Sequence, residues 1–182
     1  MGHDIDACAK LNLGLRVLGR RPDGYHDLHT HLQAIDWCDA LRLEDAPKGI
    51  AVGSGPDVGI PPEHNLVHRA AALFFEETGQ GAGVRIRLEK RIPAGAGLGG
   101  GSSDAAAALV GLDALFQTRV PTETLEAWAA GLGSDAPFFV RGGRACARGR
   151  GERLSPLDGP PEAAHLVVLV PPVHAATPAV FR

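Results

Sequence analysis

A glycine-rich segment at residues 93–103 constrains the fold of this chain more than any other feature of its sequence. Glycine permits positive φ and close approach of the backbone, so consecutive N–H groups in the segment can converge on an anion. The alternation of Val84, Ile86 and Leu88 with charged residues predicts a strand before the segment. An alanine-rich stretch at residues 103–116 predicts a helix after it. A strand, a glycine loop and a helix N-terminus in this order favour a phosphate-binding site.

Two common phosphate-binding motifs do not account for the segment. The P-loop pattern G-x-x-x-x-G-K-[ST] is absent, because Ser102 and Ser103 are followed by Asp104 and no lysine precedes them. Residues 95–100 fit G-x-G-x-x-G through their glycine content, but no acidic strand end follows about 20 residues later, as a dinucleotide fold requires. A flexible loop without a ligand is the alternative. The composition of the segment, at a strand–helix junction, favours the anion site.

The first strong pattern in the chain is a period-two alternation over residues 9–17. It predicts a strand with Lys10 and Asn12 on one face. The other face, predicted to be buried, holds Ala9, Leu11, Leu13, Leu15 and Val17.

The remaining elements follow from the same signals. Further strands are predicted at residues 28–35, 41–43, 138–140, 145–147 and 166–170. Helices are predicted over residues 66–78, between Asn65 and Gly79, and after Thr122 as a possible N-cap. Residues 48–62 are rich in glycine and proline and are predicted to be loop. The irregular order of strands and helices predicts an α+β domain with a mixed sheet.

Composition and charge exclude several classes of protein. A net charge of -3 and a pI near 6.2 argue against a nucleic-acid partner. No signal-peptide pattern opens the chain, and the apolar run at residues 166–170 is too short to cross a bilayer, so no membrane partner is expected. Basic groups at residues 85–91 and 141–153 indicate either solvated strand faces or a positive rim around a phosphate-bearing ligand.

Cysteine and histidine usage predicts neither a disulfide framework nor a metal site. The three cysteines, Cys8, Cys38 and Cys146, are odd in number and form no C-x-x-C pair, which fits a reducing cytoplasm. Among the clustered histidines at positions 26, 29 and 31, no carboxylate or cysteine completes a ligand set in the sequence.

The glycine-rich segment resembles the second motif of the GHMP kinases, P-x-G-x-G-L-G-S-S. Five other segments agree with motifs of one branch of that family in order and spacing, with Cys8 standing where the family has proline. They are residues 9–13, 21–28, 64–67, 132–139 and 177–181. The resemblance implies a left-handed β-α-β unit and a GHMP kinase N-terminal domain over residues 1–160. It also implies that residues 161–182 begin a C-terminal domain whose remainder is absent.

The resemblance implies an ATP-dependent kinase that phosphorylates the free 2-hydroxyl of cytidine diphosphate-linked methylerythritol, a small molecule of isoprenoid biosynthesis. Mg²⁺ would arrive with the nucleotide, without an obvious protein ligand. Asn65 would lie near the ATP. The other expected ATP-binding residues are Pro93, Ala94, Gly95, Ala96, Gly97, Leu98, Gly99, Gly100, Gly101, Ser102 and Ser103.

The same resemblance assigns the catalytic and acceptor residues. Asp135 would be the general base, with an Asx-turn as its structural alternative. Lys10 would orient the base and the acceptor hydroxyl, although an exposed strand lysine would also fit its pattern. The acceptor contacts would be Asn12, Tyr25, His26, Thr177 and Phe181, with cytosine stacked between the two aromatic rings.

Two other functions stay open at this point. Another GHMP kinase, acting on homoserine, mevalonate or a sugar, would share the phosphate loop but needs no cytosine site. A nucleotide-binding module without turnover would also fit the sequence. The oligomeric state is open as well.

Overall fold

The structure is a computed structural model that describes residues 2–55, 61, 64–157, 159 and 165–171. Within these ranges the chain forms one mixed sheet and four helices, which confirms the predicted α+β class. The strands are β1 Gly2–Arg20, β2 His26–Ala46, β3 Ile50–Gly55, β4 Gly83–Glu89, β5 Arg144–Gly149 and β6 Arg153–Pro156. The helices are α1 Leu66–Thr78, α2 Gly100–Phe116, α3 Thr122–Ala130 and α4 Ala136–Arg141.

The long strand β2 organises the sheet. One edge of β2 pairs antiparallel with β1 over most of its length. On its other edge, the N-terminal half pairs with β5 and the C-terminal half with β4, both antiparallel. Strand β3 extends the sheet parallel to β4, and β6 extends it antiparallel to β5. Because β2 contacts three other strands, residues that are far apart in sequence meet along it.

The main core lies between the sheet and the helices α1 and α2. Helix α2 is buried along most of its N-terminal half, where most of the buried side chains are those of alanine. Their small volume lets α2 lie close to the sheet: a Cβ built on Gly111 would be 2.9 Å from Leu43 Cδ1. Larger apolar side chains, among them Leu41 and Phe74, fill the space on either side.

Several sequence predictions are confirmed by the described elements. Helix α1 has the predicted bounds, begins at the cap residue Asn65 and ends at Gly79 in the left-handed conformation. The predicted strands at residues 9–17, 28–35, 41–43, 84–88 and 145–147 all lie within observed strands. The parallel pair β3 and β4, connected through α1, is a β-α-β unit; its left-handed sense stays a prediction.

Four local predictions are wrong. Residues 138–140 are helical, because Pro137 sits in the first turn of α4 and fits a helix start. Residues 50–55 are strand β3 where a loop is predicted, since backbone pairing with β4 does not depend on side-chain pattern. Residues 166–170 have no regular structure. Thr122 is the first residue of α3 and Pro121 holds the N-cap position.

The predicted buried face of β1 is correct only near its middle. Ala9 is buried, whereas Leu13, Leu15 and Val17 are exposed. Register shifts between Cys8 and Lys10, between residues 12 and 14, and between residues 17 and 19 interrupt the alternation. A bulge adds one residue to a strand and moves the following side chains to the opposite face.

The prediction that the cysteines form no disulfide is wrong for one pair. Cys8 on β1 and Cys38 on β2 stand opposite each other in the register and are joined by a disulfide. Their 30-residue separation hid this pairing, which arises from the β1–β2 hairpin. Cys146 is a free thiol.

None of the described helices is both long enough and apolar enough to cross a membrane.

Candidate active site

The glycine-rich segment forms the loop between β4 and α2, as predicted. Gly95, Gly97 and Gly99 have φ angles of 71°, 74° and 75°, which favour glycine. Gly99 is the N-cap of α2, and no side chain caps that helix. Ser103 lies inside α2, and its hydroxyl donates to the Cys8 carbonyl at 2.7 Å. The first-turn N–H groups of α2 therefore lack a side-chain acceptor.

The loop is held between β1 and α4. The Lys10 N–H donates to the Leu98 carbonyl at 2.9 Å, and the Leu98 side chain is buried. A Cβ built on Gly99 would lie 2.8 Å from Phe139 Cζ and 3.3 Å from Lys10 Cγ. One built on Gly133 would lie 3.0 Å from Ser102 Oγ. These contacts fix the loop against the segments that carry the two predicted catalytic residues.

Lys10 and Asp135 meet beside this loop. Lys10 Nζ is 3.5 Å from Asp135 Oδ2 and donates to Asn12 Oδ1 at 2.7 Å. Asn12 in turn donates to Thr30 Oγ1 at 2.9 Å. The Lys10 side chain is 9% exposed and that of Asp135 is 36% exposed, so the ammonium is sheltered while the carboxylate reaches solvent. The chain of contacts fixes the Lys10 side chain and leaves Asp135 open to a substrate.

Asn65 has the capping contact that its position predicts. Its Oδ1 accepts the Val67 N–H at 2.9 Å. The next residue, Leu66, brings Cδ1 within 3.6 Å of a Cβ built on Gly101, in the first turn of α2. The start of α1 therefore adjoins the phosphate loop, and a role of Asn65 near a nucleotide stays a prediction.

The predicted acceptor residues are only partly placed. Tyr25 is 57% exposed, and Arg150 Cζ lies 4.8 Å from the centre of its ring. His26 opens β2 and is half-buried. Thr177 and Phe181 lie outside the described residues. Sequence reasoning missed Arg150, because nothing in its basic, glycine-rich segment shows that it would meet an aromatic ring.

A buried ion cluster that the sequence did not reveal supports the start of the loop. Lys90 donates to Asp39 Oδ2 and, at 2.7 Å, to Asp104 Oδ2. Asp39 Oδ1 also accepts the Ile92 N–H at 2.8 Å and the Arg91 N–H. Lys90 therefore does not belong to the solvated basic face that its neighbours form.

The two carboxyl groups of the cluster differ in their protonation. Burial raises the pKa of Asp104 to about 7, although Lys90 opposes the shift. Burial also acts on Asp39, but the Ile92 N–H and Lys90 outweigh it and lower its pKa. Burial disfavours charged Lys90, whereas its bonds to both carboxyl groups prevail and raise its pKa. Lys90 thus pairs with an ionised Asp39, while Asp104 loses its proton only as the pH rises through about 7.

Comparison with known proteins identifies the fold. Residues 65–143 match the family model of the GHMP kinases N terminal domain. The curated 4-diphosphocytidyl-2-C-methyl-D-erythritol kinases of Paraburkholderia phytofirmans and Ralstonia pickettii are 48% and 49% identical to the chain over 178 residues. Each alignment covers 98% of this chain but only 60% and 61% of the relative. The chain thus spans about three fifths of the length of these relatives.

Solved structures agree with the sequence comparison. A crystal structure of 4-(cytidine 5'-diphospho)-2C-methyl-D-erythritol kinase superposes with a TM-score of 0.77 at 51% identity. The match covers 87% of this chain and 56% of that one. A homoserine kinase from Cytophaga hutchinsonii has a TM-score of 0.63 at 20% identity, covering 85% of this chain and 50% of its own. That second similarity shows the shared fold alone.

We expect Gly99→Ala to lower the free energy of unfolding more than Gly97→Ala. Both positions have the same positive φ, which costs a non-glycine residue about 1–2 kcal/mol. Only at Gly99 would the new Cβ also clash with Phe139; at Gly97 it would meet no heavy atom within 4 Å. Urea denaturation of the two variants measures the difference. Equal losses would contradict the packing of the loop against α4.

The pH dependence of stability tests the ion cluster. The pKa of Asp104 is raised from 3.8, so its contribution to stability is full below that pH and is lost as the pH rises through about 7. Relative to the Tm of the wild type, the Tm of Asp104→Asn should therefore rise as the pH increases from 5 to 8. Asp39→Asn should lose about 3–5 kcal/mol throughout this range, because it breaks a buried ion pair. A pH-independent Tm difference for Asp104→Asn would contradict the assignment.

Proposed function

We propose that this chain, whose fold is that of the GHMP kinases N-terminal domain, is the ATP-binding and catalytic part of a kinase for cytidine diphosphate-linked methylerythritol. The transfer would place the γ-phosphate of ATP on the free 2-hydroxyl, in non-mevalonate isoprenoid precursor biosynthesis. The proposal depends on one observation above all: Lys10 Nζ lies 3.5 Å from Asp135 Oδ2, directly beside the glycine-rich loop. The names and identities of the relatives support the choice of substrate.

Phosphoryl transfer needs charge placed in the right position more than covalent help from the protein. In the proposed reaction, Asp135 accepts the proton of the acceptor hydroxyl while that oxygen bonds to the γ-phosphorus. The bond from the γ-phosphorus to the bridging oxygen breaks, and ADP leaves with the electron pair. Lys10, fixed by Asn12, orients Asp135 and stabilises charge on the transferring group.

The glycine-rich loop is the proposed site for the phosphates of ATP. Its uncapped helix N-terminus offers N–H donors and a positive dipole end to an anion. The described carboxylates beside the loop suit a protein-bound Mg²⁺ poorly, because Asp135 is paired with Lys10 and Asp104 is buried against Lys90. We therefore expect Mg²⁺ to enter on the phosphates of ATP.

Tyr25 is the proposed platform for the cytosine ring. It is exposed, and Arg150 covers one face of its ring. A base can stack on the remaining face, while His26, the next residue, can reach the edge of the base. The proposed contacts of Asn12, Thr177 and Phe181 with the acceptor remain predictions.

The cytoplasm is the proposed compartment, because ATP is available there. Reduced cysteines no longer support this location, since Cys8 and Cys38 are bonded to each other. The proposal of a small-molecule substrate, without nucleic acid or membrane partner, rests on the relatives and on the acidic net charge.

Two assays separate this function from its alternatives. The rate of ADP release is measured with cytidine diphosphate-linked methylerythritol, with homoserine and with mevalonate, which identifies the acceptor. Turnover with homoserine or mevalonate would contradict the proposed substrate. Calorimetry with a non-hydrolysable ATP analogue measures binding without chemistry. Binding without turnover would favour the nucleotide-binding module.

Replacement of the proposed base tests the chemistry. Asp135→Asn keeps the shape of the side chain but removes the proton acceptor, so kcat should fall about 100- to 10,000-fold. ATP affinity should hold or improve, because a carboxylate near the γ-phosphate repels it. Lys10→Met should lower kcat as well, and the double variant should be scarcely worse than the worse single variant.

These measurements need kcat and the nucleotide Kd for all four proteins. Near-normal turnover in Asp135→Asn would exclude it as the general base. Strictly multiplicative losses would show that Lys10 and Asp135 act independently, contrary to the pairing that the structure shows.

The cytosine platform has its own test. Tyr25→Ala should weaken acceptor binding by about 1–3 kcal/mol, the scale of base–aromatic stacking, and leave ATP affinity unchanged. Tyr25→Phe is the matched control, since it retains the ring and should bind the acceptor nearly as well. Equal loss of ATP and acceptor affinity in Tyr25→Ala would mean that Tyr25 supports the fold instead.

A further inference from the structure

A second cluster of chemically active side chains lies on the opposite side of β2. Thr30 accepts a hydrogen bond from Asn12 and therefore faces the candidate active site. Its neighbours His29 and His31 project from the other face, because side chains alternate along a strand. Cys146 on β5 stands directly opposite His31 in the register of the sheet. The sequence hid this set, since the cysteine lies more than a hundred residues beyond the histidines.

The three side chains have the spacing of metal ligands. One donor atom from each of His29, His31 and Cys146 lies within 4.8 Å of the other two. His29 Nε2 is 3.1 Å from Cys146 Sγ, and the two imidazole rings meet edge to face with centres 5.6 Å apart. Zinc–nitrogen bonds near 2.0–2.1 Å and zinc–sulfur bonds near 2.3 Å place tetrahedral ligand atoms roughly 3.5 Å apart. Small side-chain rotations would bring all three donors to that distance.

We propose that His29, His31 and Cys146 form a binding site for a divalent transition metal, with Zn²⁺ as its best fit. Imidazole nitrogen and thiolate sulfur suit Zn²⁺, whereas Mg²⁺ and Ca²⁺ require oxygen ligands. Three protein ligands leave one tetrahedral position for water or another small ligand. Two histidines at i and i+2 and a cross-strand cysteine are held by the sheet itself, so the site needs no separate loop.

The charges around the cluster predict its affinity and its fourth ligand. Arg16 on β1 and Arg148 on β5 both stand opposite His29 and share its face. In the part of the chain that the structure describes, neither guanidinium has an ion-pair partner. Two nearby positive charges oppose the binding of a bare cation. They also favour an anion, such as chloride or hydroxide, in the open position.

This site is independent of the proposed kinase reaction. The sheet separates its ligands from Lys10, Asn12 and Thr30, so its metal is distinct from the Mg²⁺ expected with ATP. Metal binding can therefore be measured without turnover, and a failure of the kinase proposal would leave this test unaffected.

Metal titration of the purified protein provides the test. A Cys8→Ser/Cys38→Ser background leaves Cys146 as the only cysteine, so the other two cysteines cannot bind the added metal. Co²⁺ should bind with 1:1 stoichiometry and give a thiolate-to-cobalt charge-transfer absorption, which Zn²⁺ should abolish by displacement. Zn²⁺ should also raise Tm, because it binds the folded state.

Single substitutions identify the ligands. Cys146→Ala should abolish the charge-transfer absorption, and His29→Asn or His31→Gln should weaken Zn²⁺ binding at least about tenfold. The exposed His165 lies outside the cluster, so His165→Gln is the matched control and should bind as the background protein does. His31 is exposed, so its variant should fold even if Cys146→Ala does not. Absence of saturable binding, or equal affinity in His31→Gln and the control, would overturn the proposal.

Discussion

The contact between Lys90 and the buried carboxylate of Asp39 holds the candidate active site together. Asp39 belongs to β2, and it binds both the Lys90 ammonium and the backbone N–H of Ile92, where the chain leaves β4. The same ammonium reaches Asp104 in α2. The two ends of the glycine-rich loop are thereby tied to one point on the central strand. A loop with several glycines in the left-handed conformation has high conformational freedom, and anchoring its two ends reduces that freedom.

That fixed loop in turn explains how distant segments form one site. Lys10 comes from β1 and Asp135 from the turn before α4, and each of these segments packs against the loop near Gly99. A side chain at Gly99 would push both away. The glycine is therefore needed for close packing as well as for its φ angle, and the distance between Lys10 and Asp135 depends on it.

Sequence patterns predicted best where local chemistry decides the structure. Asn65 and Gly79 bound α1 as expected, because capping depends on neighbouring residues alone. The approach of Lys10 to Asp135 came from family resemblance, and the described geometry agrees with it. Features that depend on tertiary pairing were missed. Strand β3 forms because β4 offers a backbone edge, and Asp104 changes its pKa only once it is buried.

The dependence on tertiary pairing also explains why sequence patterns do not reveal the cluster of His29, His31 and Cys146. His29 and His31 alternate with Thr30, so one short stretch of β2 serves two faces of the sheet. The register of β2 with β5 brings Cys146 to that second face, and no local signal encodes this register. A one-residue slip of β5 would turn Cys146 toward the core and remove it from the cluster. The buried side chains of Ala145 and Ala147 resist such a slip, so the packing of the core also fixes the cluster on the outer face.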